Sequence, residues 1–177
     1  MQNTNKLVFC DNVHVKIISM KSDDDAIAVS KLAYCEAQKI AIENYGAYNW
    51  TIEKDNKGKP YYKYSKDYFF SVSHTGKTVA VAVCKGISVG VDIEKIQKIS
   101  DRIVNKYYTE LEKKQIDLSM INKQIEETRI WTLKEAHCKC IGTGLDKDSL
   151  RWCSVKETRM VLESQVIDDF IISVCKG

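Results

Sequence analysis

The sequence predicts an α+β fold, and three observations carry that prediction. Short alternating apolar segments bounded by turn residues mark strands, and stretches of helical spacing with capping residues mark helices. These elements follow the order strand, helix, strands, then helices and strands again, which gives the 177 residues a two-half rhythm. No linker, low-complexity tract or sequence repeat interrupts that rhythm.

Taken in order, "LVFCDNVHVKII" (7–18) alternates and turns at Asp11-Asn12, predicting two short strands. A helix is expected from Ser22, where "SDDD" supplies a cap and first-turn acids, to about Asn44, with Gly46 as terminator. "YNWTIEKDNKGKPYY" reads as a strand, a polar turn and an extended segment fixed by Pro60, the only proline. "YFFSVSH", "TVAVAVC" and "ISVGVDIE" follow at hairpin spacing and predict a three-stranded antiparallel meander. Ser100 can cap a short helix ending near Tyr108, and Thr109 with Glu112 matches a capping box. A longer helix is expected from about Asn122 to Ile141, stopped by Gly142 and Gly144. "LRWCSV", "MVLESQV" and "FIISVC" are predicted as closing strands.

Composition narrows the function classes. Hydrophobic residues make up 44% and charged residues 29%, as in ordinary globular proteins, and no apolar run approaches a membrane span. No signal peptide is visible, so a cytoplasmic location is expected. The net charge of +3 and the scarcity of arginine argue against nucleic acid as a partner. Seven cysteines without regular spacing read as reduced thiols; "HCKC" (137–140) lacks the second pair that a zinc site needs.

Four stretches could carry chemistry. In "GVDIE", Asp92 and Glu94 project from one face of a strand, where a divalent hard cation such as Mg²⁺ would relieve their repulsion; the alternative is a strand end emerging into solvent. In "WTLKEAHCKCIGTGL", Glu135 and Lys139 are helical neighbours on the face that carries Trp131, whereas Ile130, Leu133, Ala136 and Cys140 form the apolar stripe. Periodicity alone makes Glu135 and Lys139 an exposed ion pair, and makes His137 a core or partly exposed residue. In "SVSHTG", Ser73 and His74 point to opposite strand faces, which disfavours a nucleophile–base pair but allows phosphate ligation or turn stabilisation. In "GKP", Lys59 can reach a phosphate or stand solvated, and Glu110 suits a helix start whatever its role.

The order and spacing of "GKP", "FFSVSHTGKTVAVAV", "GVDIE" and "WTLKEAHCKCIGTGL" resemble the 4′-phosphopantetheinyl transferases, in particular their larger, pseudodimeric class. The smaller, trimeric class shares the K-E-A-x-x-K helix but lacks the upstream half. The resemblance implies two similar α+β halves side by side, near 1–86 and 87–177, each with a small antiparallel sheet and helices, in a monomer. It implies coenzyme A as co-substrate in the cleft between the halves, Mg²⁺ as cofactor, and an apo acyl or peptidyl carrier protein as partner. By matching motif, Asp92, Glu94 and Glu135 become the metal ligands, and Lys139 contacts the phosphates and stabilises the leaving group. Ser73, His74 and Lys59 then hold phosphates of the adenosine portion, and Glu110 becomes a further catalytic acid. The N-terminal helix lacks the arginine with which the family grips the 3′-phosphate, and Lys31 can substitute as a point charge. A non-catalytic coenzyme A or carrier-binding module of the same fold is the alternative, and a Mg²⁺-dependent phosphohydrolase is a third reading.

Overall fold

A computed structural model describes residues 4–20, 26–46, 51–120 and 122–177. The expected helix start at Ser22 and the acids after it lie outside these residues. Strands β1 (Thr4–Phe9) and β2 (Val13–Ser19) form the predicted hairpin, with Cys10 and Asp11 both at positive φ in the turn. Helix α1 (Ala26–Tyr45) ends at Gly46, whose φ of 64° is the left-handed conformation that glycine adopts without strain. The short strands β3 (Ile52–Lys54) and β4 (Pro60–Tyr62) form a separate two-stranded ribbon.

Strand β5 (Tyr68–Thr75) and strand β6 (Thr78–Lys85) pair as a hairpin, and the first sheet runs β1-β2-β6-β5. The near-continuous apolar run of β6 is explained by burial on both faces. Val79, Val81 and Val83 pack with Ala33, Ala37, Ile40 and Ala41 of α1, while Ala80, Ala82 and Cys84 face the other way. There they meet Val89, Val91 and Ile93 of β7 (Val89–Lys95) and Ile172 and Val174 of β9 (Phe170–Lys176). The largest core is therefore shared by two sheets packed face to face, with α1 outside the first.

The second sheet runs β7-β9-β8, with β8 spanning Val161–Ile167. This corrects the expected meander. Both edges of β6 are already occupied by β2 and β5, so β7 crosses over and pairs antiparallel with β9 instead. Helices α2 (Asp101–Tyr107), α3 (Glu110–Leu118) and α4 (Lys123–Ile141) follow, the first two with the predicted caps Ser100 and Thr109 and the third capped by Asn122, where a helix start is expected. "LRWCSV" is not a strand. Its leucine ends a short helix, α5 (Lys147–Leu150), capped by Asp146, and Ser154–Lys156 form a 3-10 turn. The side chains there are committed to the helices instead: Trp152 stacks flat on His137 of α4 at 3.9 Å, and Ser154 binds Glu112 of α3.

Helix α4 covers the outer face of the second sheet at unusually close range. A Cβ on Gly90 would lie 1.9 Å from the Ala136 carbonyl oxygen and 2.5 Å from the Cys140 nitrogen. The glycine of "GVDIE" is thus the point where helix backbone meets strand backbone. Small or hydroxylated residues continue the contact, with Thr132 Oγ1 2.6 Å from Ser173 Oγ and Ser173 Oγ 2.7 Å from Ser164 Oγ.

Candidate active site

Alternation along β7 settles where its carboxylates go. Val89, Val91 and Ile93 take the shared core, so Gly90, Asp92 and Glu94 take the face covered by α4. Gly90 lets α4 approach, and the turn of α4 next to that contact carries Glu135 and Lys139. Asp92, Glu94, Glu135 and Lys139 accordingly line one cleft of about 450 Å³. Its opposite wall comes from the first half of the chain: Tyr34 on α1, Ser71, Ser73 and His74 on β5, and Lys54, Lys57 and Lys59 on the β3–β4 ribbon.

Lys139 is the centre of the polar contacts. Its Nζ donates to Asp92 Oδ1 at 2.6 Å and to Ser73 Oγ at 2.8 Å, and lies 3.9 Å from Glu135 Oε2. Ser73 Oγ in turn donates to Asp92 Oδ1 at 2.7 Å. Glu135 is only 13% exposed; burial first, then the neighbouring Asp92 charge, pushes its carboxyl up to about 8. Burial also raises the Glu94 carboxyl, against a 2.9 Å hydrogen bond from Thr75 Oγ1. The face that periodicity assigns to solvent is in fact the inside of a cleft, because α4 is buried nearly all round.

Lys59 donates to the Cys140 carbonyl at 2.9 Å, strapping the ribbon to the last turn of α4, and burial lowers its ammonium pKa. Gly58 follows the Asp55 turn, whose Oδ1 accepts from the backbone nitrogens of Lys57 and Lys59. His74 is exposed at the cleft edge. Lys31 is also exposed, and it does not line the cleft, although Ser30 beside it does.

Glu110 is not brought to this site. At the first position of α3 its side chain is 89% exposed and paired with Lys113. The capping box turns the other acid inward. Glu112 is fully buried, accepts from Thr109 N, Ser154 N and Ser154 Oγ, and pairs with the equally buried Lys134 at 2.9 Å. Lys134 also donates to the Trp152 carbonyl. This pair sits directly behind Glu135 in sequence and ties α3 and the 150s turn to α4. The S/T-x-x-E pattern was its signal. Lys54, Lys57, Tyr34, Ser71 and Thr75 are further residues that motif reading passes over; the period-two hydroxyls of "SVSHT" were the sign of the last two.

Whether the carboxylates fit a metal ion can be judged from their oxygens. Among the described residues no three His, Cys, Asp or Glu side chains are gathered into a closed ligand cluster. Lys139 fills that role by bridging Asp92 and Glu135. Yet Asp92 Oδ2 is buried with no hydrogen-bond partner among the described residues, which is costly unless a cation or the proton of the neighbouring Glu135 carboxyl meets it. An orphaned carboxylate oxygen beside two further carboxylates is the donor set of a hard divalent ion, so the residues fit one.

Comparison with known proteins bears on the same stretch. Residues 88–170, which hold β7, α3 and α4, match the family model described as the 4′-phosphopantetheinyl transferase superfamily. That stretch, just under half of the chain, is similar to that superfamily. The 4′-phosphopantetheinyl transferase gsp of Aneurinibacillus migulanus is 29% identical over 128 residues, covering 71% of this chain and 53% of the relative. That of Bacillus subtilis is 29% identical over 89 residues, 50% of this chain and 39% of its own length. The Bacillus pumilus protein is 32% identical over 96 residues, or 53% and 40%. The matched stretches therefore span about half or less of these relatives. No helix among the described residues is long and apolar enough to cross a membrane.

Proposed function

We propose that the protein transfers the 4′-phosphopantetheine group of coenzyme A to a serine of an apo carrier protein, releasing 3′,5′-ADP. The observation that carries this reading is the meeting of Asp92, Glu94, Glu135, Lys139 and Ser73 in one cleft, walled by both parts of the chain. The halves 1–86 and 87–177 are read as the coenzyme A-holding and catalytic parts respectively.

The carrier serine oxygen forms a bond to the β-phosphorus of coenzyme A, and the bond from that phosphorus to the oxygen bridging to the α-phosphorus breaks. The serine proton needs an acceptor, and Glu135, in the cleft beside Lys139 and Asp92, is the carboxylate placed to take it. Lys139, poised between Asp92 and Glu135, can turn its ammonium to the pyrophosphate and offset the charge of the departing 3′,5′-ADP. Asp92, Glu94 and Glu135 would hold Mg²⁺. When bound, the ion would neutralise pyrophosphate oxygens and steady them for displacement. Lys59, with Lys54 and Lys57 on the same ribbon, gives the far end of the cleft the positive charge that the adenosine phosphate requires. His74 and Ser73 flank the phosphates.

The test is direct. The protein is incubated with apo acyl and peptidyl carrier proteins, coenzyme A and Mg²⁺, and the carriers are weighed by mass spectrometry. A phosphopantetheine increment that vanishes on chelation is expected. Folded Asp92→Ala and Glu135→Ala variants should produce none, a loss of at least about 100-fold if charge stabilisation dominates. No increment on any carrier, with coenzyme A demonstrably bound, would leave the binding-module alternative.

A further inference from the structure

Strands β5 and β7 belong to different sheets and share no backbone ladder, yet they run side by side. Their contacts are made by hydroxyls. Ser71 Oγ accepts from Val91 N at 3.1 Å, Ser73 Oγ donates to Asp92 Oδ1, and Thr75 Oγ1 donates to Glu94 Oε2. Residue numbers rise together on the two strands, so the strands are parallel and each alternate hydroxyl of β5 makes one rung. Positions 71, 73 and 75 share one face of a strand, which is why all three reach the same neighbour.

The rungs differ in what they do. The first meets a backbone nitrogen, and the second is part of the Lys139 cluster already described. Thr75 does not line the cleft, and its hydroxyl supplies the one hydrogen bond that the Glu94 carboxylate makes among the described residues. Glu94 stands near the half-exposed end of β7, on a side chain with three rotatable bonds. Without that hydroxyl its carboxylate is free to turn to water, and fixing it again costs side-chain entropy.

We propose that Thr75 is a positioning residue that holds Glu94 toward the cleft and sets the affinity of this chain for a divalent cation. The inference rests on the metal-dependent transferase reading and adds to it a residue from the first half of the chain. It predicts that removing the hydroxyl weakens metal binding more than it weakens the fold. Outer-shell partners of metal ligands typically change affinity by about 10- to 100-fold.

The experiment titrates Mn²⁺ into the full chain with coenzyme A, following free Mn²⁺ by electron paramagnetic resonance, alongside metal-free thermal melts. Thr75→Val keeps shape and branching but has no donor, whereas Thr75→Ser keeps the donor. The expected result is a Mn²⁺ dissociation constant raised about tenfold in Thr75→Val and returned to within about twofold of the starting value in Thr75→Ser. Should the valine variant fail to fold, Thr75→Ala replaces it in the same comparison. Equal affinity in the donor-less variant, or a serine variant as weak as the valine one, overturns the inference. If the unsubstituted chain takes up no Mn²⁺ with coenzyme A, the metal reading itself fails, and the inference with it.

Discussion

Glu110 and Glu112 stand two positions apart on α3 and live in opposite surroundings, one 89% exposed and the other fully buried. Burial alone would raise the Glu112 carboxyl, but Thr109 N–H, Lys134 and Ser154 N–H hold it below its ordinary value of 4.5. A carboxylate depressed in the folded state adds stability above its unfolded pKa and loses it as pH falls through the folded value. Glu112→Gln strands Lys134 and should cost about 3–5 kcal/mol at pH 7. That gap from the unsubstituted protein should narrow as pH falls below the ordinary carboxylate value of 4.5 and through the lower value of folded Glu112. Urea unfolding midpoints at pH 7 and pH 3 measure both numbers. The family resemblance implies a catalytic role for Glu110, the acid at the start of α3. Capping geometry, which was equally legible, sends Glu112 and not Glu110 toward α4. The same holds for Thr75, whose meaning depends on a strand that no local pattern places beside it.

Helix α4 and strand β7 are the pair of elements on which the site depends, and Gly90 is their contact. With a Cβ 1.9 Å from a backbone oxygen, Gly90→Ala must force the helix off the strand. Overpacking of this kind costs about 1–3 kcal/mol or more, and here it also separates Glu135 and Lys139 from Asp92. The expected outcome is a protein that still folds, by circular dichroism, but in which the proposed phosphopantetheinyl transfer is nearly lost; retained transfer would refute the role of this contact. Most elements were readable in advance because caps, glycines and period are local. The caps at Ser100 and Thr109, the helix start at Asn122 and the stop at Gly142 all stand where the pattern put them. The partner of β7 was not readable, since strand pairing is decided by which edges remain free. Nor was the true environment of Glu135, because an apolar stripe records one buried face and is silent about a helix buried on the others.

At the scale of the molecule the two sheets form one core, in which Val13, Val15 and Ile17 of β2 meet Val91, Ile172 and Val174 across the interface. Glu163 and Lys176 reach from the second sheet to the turn after β1, through Cys10 N and the Cys10 carbonyl. Two halves joined in this way should open as one unit. Core amides of β2 and of β9 are expected to exchange with solvent with the same free energy and the same denaturant dependence. A clearly lower value for one sheet would mean that the other stays folded without it. The two-half rhythm of the sequence was visible from element order, but the extent to which the halves share an interior was not, because each strand displays only its own alternation.

The pairing of β7 also has a consequence in time. Its backbone partner is β9, and α2, α3, α4 and β8 all lie between them along the chain. During synthesis Asp92 and Glu94 leave the ribosome long before the strand that locks them into a sheet, and before the helix that brings Glu135. Contacts between such distant segments form slowly. The acidic strand is thus among the earlier pieces of the site to be made and among the last to be fixed, and a nascent chain halted before Phe170 should carry every proposed ligand yet bind no metal.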